Sequence, residues 1–288
     1  MPKWLIVGGN GLIGSFLADR CRATGANTVL STRRQTASDG YLFGDLDGGK
    51  FATLVSADAD VVFLCAAQTN MRECRDHPDQ SYRVNVSGTV ELAEQLIGNG
   101  AFVVFLSSNA VFDGATPWPD EQQVHSPVCE YGRQKSRAED LLLTLPGARS
   151  RLAVVRLSKV LSRRSGIAAD FLRRIRSNEA CEAFDDLRMS PISLDYVANA
   201  LIAIASRRLP GIFHLSGAEE VSYAEFASRL ARHANANAAL IRAVSSTVSG
   251  AEVLFRPAHP GLGMSRTRSE LNMMPEDMSR VFTELTDN

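Results

Sequence analysis

Two kinds of apolar pattern alternate along the chain. Trp4–Val7, Thr28–Leu30, Asp60–Leu64, Ala101–Leu106 and Leu152–Leu157 are short runs that are apolar nearly throughout. Between them, Leu12–Ala23, Asp79–Ile97 and Tyr131–Leu145 repeat apolar residues every three or four positions, and Pro146-Gly147 stops the last of these. Strands without polar alternation predict burial on both faces, and therefore a parallel sheet. Strands alternating with helices predict a doubly wound α/β fold. After Leu157 the rhythm changes. Helices are expected over Ala168–Ser177, Leu194–Ala205 and Ser222–His233, a strand over Gly211–Leu215, and an irregular tail from about Arg242. The expected division is a nucleotide-binding domain over residues 1–157 and a smaller α/β substrate-binding domain over 158–288. The helix near 194–205 is expected to pack back on the first domain.

Bulk composition narrows the classes. The 288 residues are 45% hydrophobic and 22% charged, with a formal net charge of −1, ordinary values for a globular protein. A near-neutral chain is a poor polyanion binder, so nucleic acid is not an expected partner. No stretch approaches the ~20 apolar residues of a membrane span. The five cysteines are scattered, an odd count without Cys-x-x-Cys pairs, which suits a reducing compartment and a cytoplasmic location. The five histidines show no ligand spacing, so no metal site is expected.

Chemistry first enters at the end of the first strand. Gly8-Gly9-Asn10-Gly11-Leu12-Ile13-Gly14 places glycines at 8, 11 and 14 between a strand and a helix. Such a turn lets backbone approach a pyrophosphate at a helix N-terminus, the arrangement of a Rossmann dinucleotide site. Residues Gly8, Asn10, Gly11, Leu12, Ile13 and Gly14 are therefore cofactor-binding candidates. An NAD site usually carries an acid after the second strand for the ribose hydroxyl. Here Ser31-Thr32-Arg33-Arg34 follows, with no acid before Asp39. Guanidinium groups suit a 2′-phosphate by charge and by forked hydrogen bonding, so Arg33 and Arg34 predict NADP(H) over NAD(H). The alternative is two arginines on a solvated loop.

Tyr131 and Lys135 stand four residues apart in a predicted helix, on one face. An ammonium there would favour the phenolate and lower the tyrosine pKa, making a proton donor and acceptor usable near neutral pH. The alternative is a surface tyrosine beside a surface lysine. Ser107-Ser108 ends the Ala101–Leu106 strand with hydroxyls, and strand C-termini are where sites lie in open α/β sheets.

Together the glycine spacing and the Ser108, Tyr131, Lys135 set resemble the extended short-chain dehydrogenase/reductase superfamily. Val84-Asn85-Val86-Ser87-Gly88-Thr89 is similar to its Val-Asn-x-x-Gly-Thr helix motif, where Asn85 is read as a structural hydrogen bonder. Val111-Phe112-Asp113-Gly114, Ser126-Pro127, Arg156, Ser190-Pro191-Ile192, Phe226 and Arg256-Pro257 sharpen this. With them the chain resembles, over nearly its whole length, the dTDP-4-dehydrorhamnose reductase group. The resemblance implies reduction of a 4-keto nucleotide sugar. Tyr131 would protonate the forming alkoxide, Lys135 would lower the tyrosine pKa and hold the ribose, and Ser108 would bond the carbonyl oxygen. Asp45 and Leu46 would lie at the adenine. Ala66, Ala67 and Gln68 would form the small-residue turn beside the cofactor. A homodimer through the helices at 79–97 and 131–145 is also implied.

Three departures concern the substrate. Ser108-Asn109-Ala110 stands where the reductases usually have Thr-Asp-Tyr. Lys159 stands where they place a tryptophan facing the sugar, and could meet a phosphate or carboxylate or simply be solvated. Met189 replaces an arginine, for which Arg188 is the neighbouring substitute. Asn109, Ala110, Lys159 and Arg188 thus join Ser108 as substrate-binding candidates. A nucleotide-sugar epimerase is an alternative, since it needs little beyond Ser-Tyr-Lys. Dehydratase chemistry is not expected, because Asn109-Ala110 cannot supply an acid and a base. A non-catalytic NADP-binding subunit is another alternative, because Ser107-Ser108-Asn109 also resembles the beta subunit of methionine adenosyltransferase.

Overall fold

A computed structural model describes residues 1–34 and 40–287; Asp39 lies outside them. Six strands come first: β1 (Lys3–Val7), β2 (Asn27–Thr32), β3 (Tyr41–Phe43), β4 (Val61–Leu64), β5 (Phe102–Ser108) and β6 (Leu152–Leu157). Then follow β7 (Lys159–Leu161), β8 (Cys181–Phe184), β9 (Arg188–Met189), β10 (Pro191–Ser193), β11 (Gly211–Leu215), β12 (Val221–Ser222) and β13 (Ile241–Val244). Seven of them make one sheet in the order β11-β6-β5-β4-β1-β2-β3. Neighbours from β3 across to β5 run parallel. The order reverses beside β1, the topological switch of a Rossmann-type fold. The all-apolar runs have the predicted consequence: every residue of β4 and β6 is buried. One face of the sheet packs Leu5, Val62, Val103, Phe105 and Val154 against Leu92, Leu96, Ala138 and Leu142 of the helices.

The chain divides into two compact units. The first comprises residues 1–112, 125–156 and 198–213; the second comprises 113–124, 157–197 and 214–288. The core of the second gathers Phe171, Leu172, Ile175, Phe226, Leu230, Val281 and Phe282, with the rings of Phe226 and Phe282 5.4 Å apart. Among the described residues no helix is long and apolar enough to cross a membrane.

The stretch expected as one helix over 79–97 is an unbroken helical run from Pro78 to Gly98, inside which Arg83–Ser87 forms a π-helical turn. The residues on either side keep helical spacing, so the turn does not show in the pattern; π turns are frequent at functional sites. The structure departs from the expected elements at the C-terminal end. The tail is irregular over 245–264 but not throughout. β13 pairs in parallel with β8, and helices cover Ser265–Leu271 and Met278–Thr286. The signal for the last helix was present: Met278, Val281, Phe282 and Leu285 follow helical spacing, and the Asp277 carboxylate caps it by accepting from Ser279 N.

Candidate active site

A cleft of about 540 Å³ opens in the first unit at the C-terminal ends of β1, β2 and β4, a size suited to a small-molecule cofactor. Its floor is the glycine turn. Gly8 has φ +86°, and a Cβ there would lie 2.8 Å from Ala66 N. A Cβ on Gly14 would collide with the Gly8 carbonyl oxygen. The turn is thus packed too tightly for any side chain at these positions. Helix Leu12–Ala23 leaves it with Gly11 at the N-cap, no capping side chain and no acid in its first turn. Its first amides, with the positive end of the helix dipole, therefore remain available to an anion.

Ten of the sequence-derived cofactor candidates line this cleft: Gly8, Asn10, Gly11, Arg33, Arg34, Asp45, Leu46, Ala66, Ala67 and Gln68. Leu12, Ile13 and Gly14 open the helix above the turn. Arg33 and Arg34 are exposed beside β2. The Gln68 turn is held from behind by Asn85, which is fully buried in the π turn. Asn85 Oδ1 accepts from Gln68 N at 2.8 Å, and Asn85 Nδ2 donates to Gln68 O at 2.9 Å and to Gln134 Oε1 at 2.8 Å. This is the structural role read for it in the sequence.

The far wall holds residues the sequence reading missed: Glu73, His77, Gln80 and Ser81. Glu73 sits on the short helix Met71–Asp76, Gln80 and Ser81 on Pro78–Tyr82, and His77 between the two. The available signals were local: Asn70 caps the first, accepting from Arg72 N and Glu73 N, and Pro78 opens the second. An ion pair between Arg83 and Asp47, at 2.7 Å, lies on the same side.

Ser108, Tyr131 and Lys135 come together as a second group in this unit, Tyr131 and Lys135 buried and Ser108 partly so. Ser108 closes β5, and its Oγ accepts from Ala110 N at 3.1 Å while lying 3.4 Å from Asn109 Oδ1. Helix Glu130–Thr144 approaches this turn so closely that a Cβ on Gly132 would strike the Ala110 carbonyl oxygen. The contact brings Tyr131 beside Ser108, near enough for that hydroxyl to act on the ionisation of the phenol. Ala110 is fully buried beneath it. One turn further, Lys135 Nζ donates to Leu106 O at 2.8 Å and lies 4.5 Å from the Phe105 ring centroid.

Electrostatics here differ from the sequence expectation. Tyr131 was expected to have a lowered pKa beside Lys135. Instead burial pushes it well above the usual phenol value, and the Ser108 hydrogen bond offsets this only in part. Burial also lowers Lys135 to about 8, opposed chiefly by Glu139. Desolvation disfavours each charged form and outweighs the i,i+4 attraction. The resting pair is accordingly a neutral phenol beside a lysine that titrates near neutrality.

The remaining candidates belong to the second unit. Lys159 is exposed at the start of β7, which pairs in parallel with β10. Arg188 lies on β9 and donates to Glu220 O at 2.8 Å, while Met189 beside it is buried. Among the described residues no cluster of three or more His, Cys, Asp or Glu side chains is placed to hold a metal ion.

Comparison with known proteins now adds to this geometry. Residues 2–287 match the RmlD substrate binding domain family. The chain is 33% identical to a dTDP-4-dehydrorhamnose reductase of Sinorhizobium fredii over 61% of its own length and 62% of that protein's. It is 26% identical to the enzyme of that name from Aggregatibacter actinomycetemcomitans, covering 99% of this chain and 98% of the other. The methionine adenosyltransferase 2 subunit beta of Mus musculus is 27% identical over 91% of this chain and 80% of its own. In fold, the chain is similar to the Bacillus anthracis dTDP-4-dehydrorhamnose reductase solved in complex with NADP. The TM-score is 0.86 at 21% identity, covering 99% of this chain and 98% of that one.

Proposed function

This chain belongs to the RmlD substrate binding domain family, and on that premise we propose that it is an NADP(H)-dependent reductase of a 4-keto nucleotide sugar. The observation that carries the reading is Tyr131 buried beside Ser108, with buried Lys135 one helical turn further on and bonded to the end of the strand that Ser108 closes, in the same unit as a glycine-floored cleft. The cradle fits a dinucleotide: its floor excludes side chains, its helix end is uncapped, and two arginines stand at its rim. The nicotinamide, when bound, supplies hydride to the carbonyl carbon. Ser108 donates to the oxygen as it gains charge. Tyr131 gives that oxygen its proton, for which a phenol held protonated by burial is the correct starting form. Lys135, as an ammonium, steadies the phenolate left behind. Arg33 and Arg34 would hold a 2′-phosphate, which would favour NADP(H) over NAD(H).

The decisive assay is NADPH oxidation by purified protein across a panel of 4-keto nucleotide sugars. Turnover with at least one member is expected. A second reading has a specific observation behind it. Methionine adenosyltransferase beta subunits lie among the relatives, so the protein would be a nucleotide-binding subunit without turnover. NADPH binding with no oxidation across the panel, together with a co-purifying partner, would favour that reading over the reductase.

A further inference from the structure

The spacing that begins at Tyr131 does not end at Lys135. Four residues on, Glu139 stands on the same face of helix Glu130–Thr144. It is fully buried, which a carboxylate does only when it is well partnered. Its partners come from three directions. Ser107 Oγ on β5 donates to Oε1. From β6, Arg156 Nη2 donates to Oε2 at 2.7 Å and Arg156 Nε spans both oxygens at 3.1 and 3.0 Å. From the segment before the helix, His125 Nε2 lies 3.2 Å from Oε2. His125 Nδ1 in turn lies 2.8 Å from Ser136 Oγ and 3.5 Å from Asp140 Oδ1.

The position of Ser107 gives this cluster its reach. Ser107 is the chain neighbour of Leu106, whose carbonyl receives Lys135 Nζ. It is equally the neighbour of Ser108, which acts on the ionisation of Tyr131. A carboxylate that grips Ser107 therefore holds the strand end presenting both partners of the Tyr131–Lys135 pair. Glu139 itself bonds neither residue. We propose that Glu139 is a positioning residue, which keeps Lys135 as an ammonium and anchors the end of β5 through Ser107. The proposal rests on the reading of Tyr131 and Lys135 as the proton-transfer pair.

Lys135 is buried, and burial works against its ammonium form. Glu139 is the strongest group opposing that effect, ahead of Cys65 after β4 and Cys74 on helix Met71–Asp76. Both thiols are themselves pushed up by burial and stay neutral near pH 7, which leaves Glu139 as the formal anion. Burial alone would push Glu139 up as well. His125, Arg156 and Ser107 hold it down to about 2, so it is ionised wherever Lys135 titrates. An active ammonium is present below the lysine pKa and lost as pH rises through it. Removing the Glu139 charge lowers that pKa and moves the alkaline limb of activity to lower pH.

The chain has only four lysines, Lys3, Lys50, Lys135 and Lys159, so lysine titration can be read directly. Protein labelled with 13C-lysine gives resolvable side-chain methylene signals, with Lys135 identified by its loss in K135R. In the wild type the Lys135 midpoint is expected near pH 8. In Glu139→Gln, which keeps the shape and loses the charge, it should fall by about one unit, a tenfold loss of proton affinity. Should E139Q leave Arg156 unpaired and fail to fold, E139M/R156M is compared with R156M, so that the two differ only by the charge of Glu139. The alkaline limb of kcat/KM should move with the midpoint. An unchanged Lys135 midpoint in the folded variants overturns the proposal. A midpoint that falls while the alkaline limb stays in place upholds the coupling of Glu139 to Lys135. That result removes Lys135 from the chemistry, and the function proposed above would fail there instead.

Discussion

The glycine-floored cleft and the Ser108–Tyr131–Lys135 group belong to the same sheet, yet they are built from opposite materials. The cleft is made of backbone. Its floor tolerates no Cβ at Gly8 or Gly14, the helix end above it carries no capping side chain, and its two arginines, Arg33 and Arg34, are exposed. The second group is made of side chains withdrawn from solvent. There Lys135 is 3% exposed and Tyr131 8%, and desolvation rather than pairing dominates both. On the proposed function, a cofactor that must arrive and leave would be met by fixed amides and solvated charge, and a proton that must move once per turnover would be held by groups whose ionisation the interior controls.

This contrast can be broken from either side. Tyr131→Phe removes the proton and little else, so turnover should fall by about 10²–10⁴-fold while NADPH affinity changes less than about threefold. Retained turnover with a 4-keto nucleotide sugar would overturn the mechanism. Gly14→Ala attacks the backbone side. The added methyl meets the Gly8 carbonyl, and overpacking of this kind costs about 1–3 kcal/mol. NADPH affinity, read by fluorescence titration, should drop by roughly 5–150-fold with thermal stability falling alongside. An unaltered affinity would show that the turn yields and that its tight packing is not what shapes the site.

Charge at the rim should matter less. Arg33→Ala and Arg34→Ala each remove one charge-assisted contact to a 2′-phosphate, and NADPH should bind about tenfold more weakly, about 1.4 kcal/mol, with NADH unaffected. Equal losses for both cofactors would remove the 2′-phosphate assignment. The smallest effect belongs to Asp47→Asn. The Arg83–Asp47 pair is partly exposed at 52% and 30%, so its loss should cost no more than about 1 kcal/mol in chemical denaturation. A larger cost would mean that this wall of the cleft depends on the ion pair.

Particular residues show how far the sequence could be read. The apolar runs at Trp4–Val7 and Val61–Leu64 were legible as buried parallel strands because burial on both faces leaves no polar position. The turn Gly8–Gly14 was legible because only glycine satisfies it. Met71–Asp76 was missed because a six-residue helix with one buried side chain, Cys74, has no periodicity to show. The π turn at Arg83–Ser87 was hidden because the register on either side still reads as helix.

What the chain determined by itself was local. It set which segments become strands, where the backbone must turn without a side chain, and which four-residue spacings align Tyr131, Lys135 and Glu139 on one helix face. The ionisation of those three groups could not be read from spacing. The i,i+4 rule alone would have lowered the Tyr131 pKa, whereas the assembled interior raises it. Only tertiary packing decided that sign, because desolvation depends on every neighbour at once. Ser107, His125 and Arg156, brought to Glu139 from separate segments, are neighbours that no window of sequence contains.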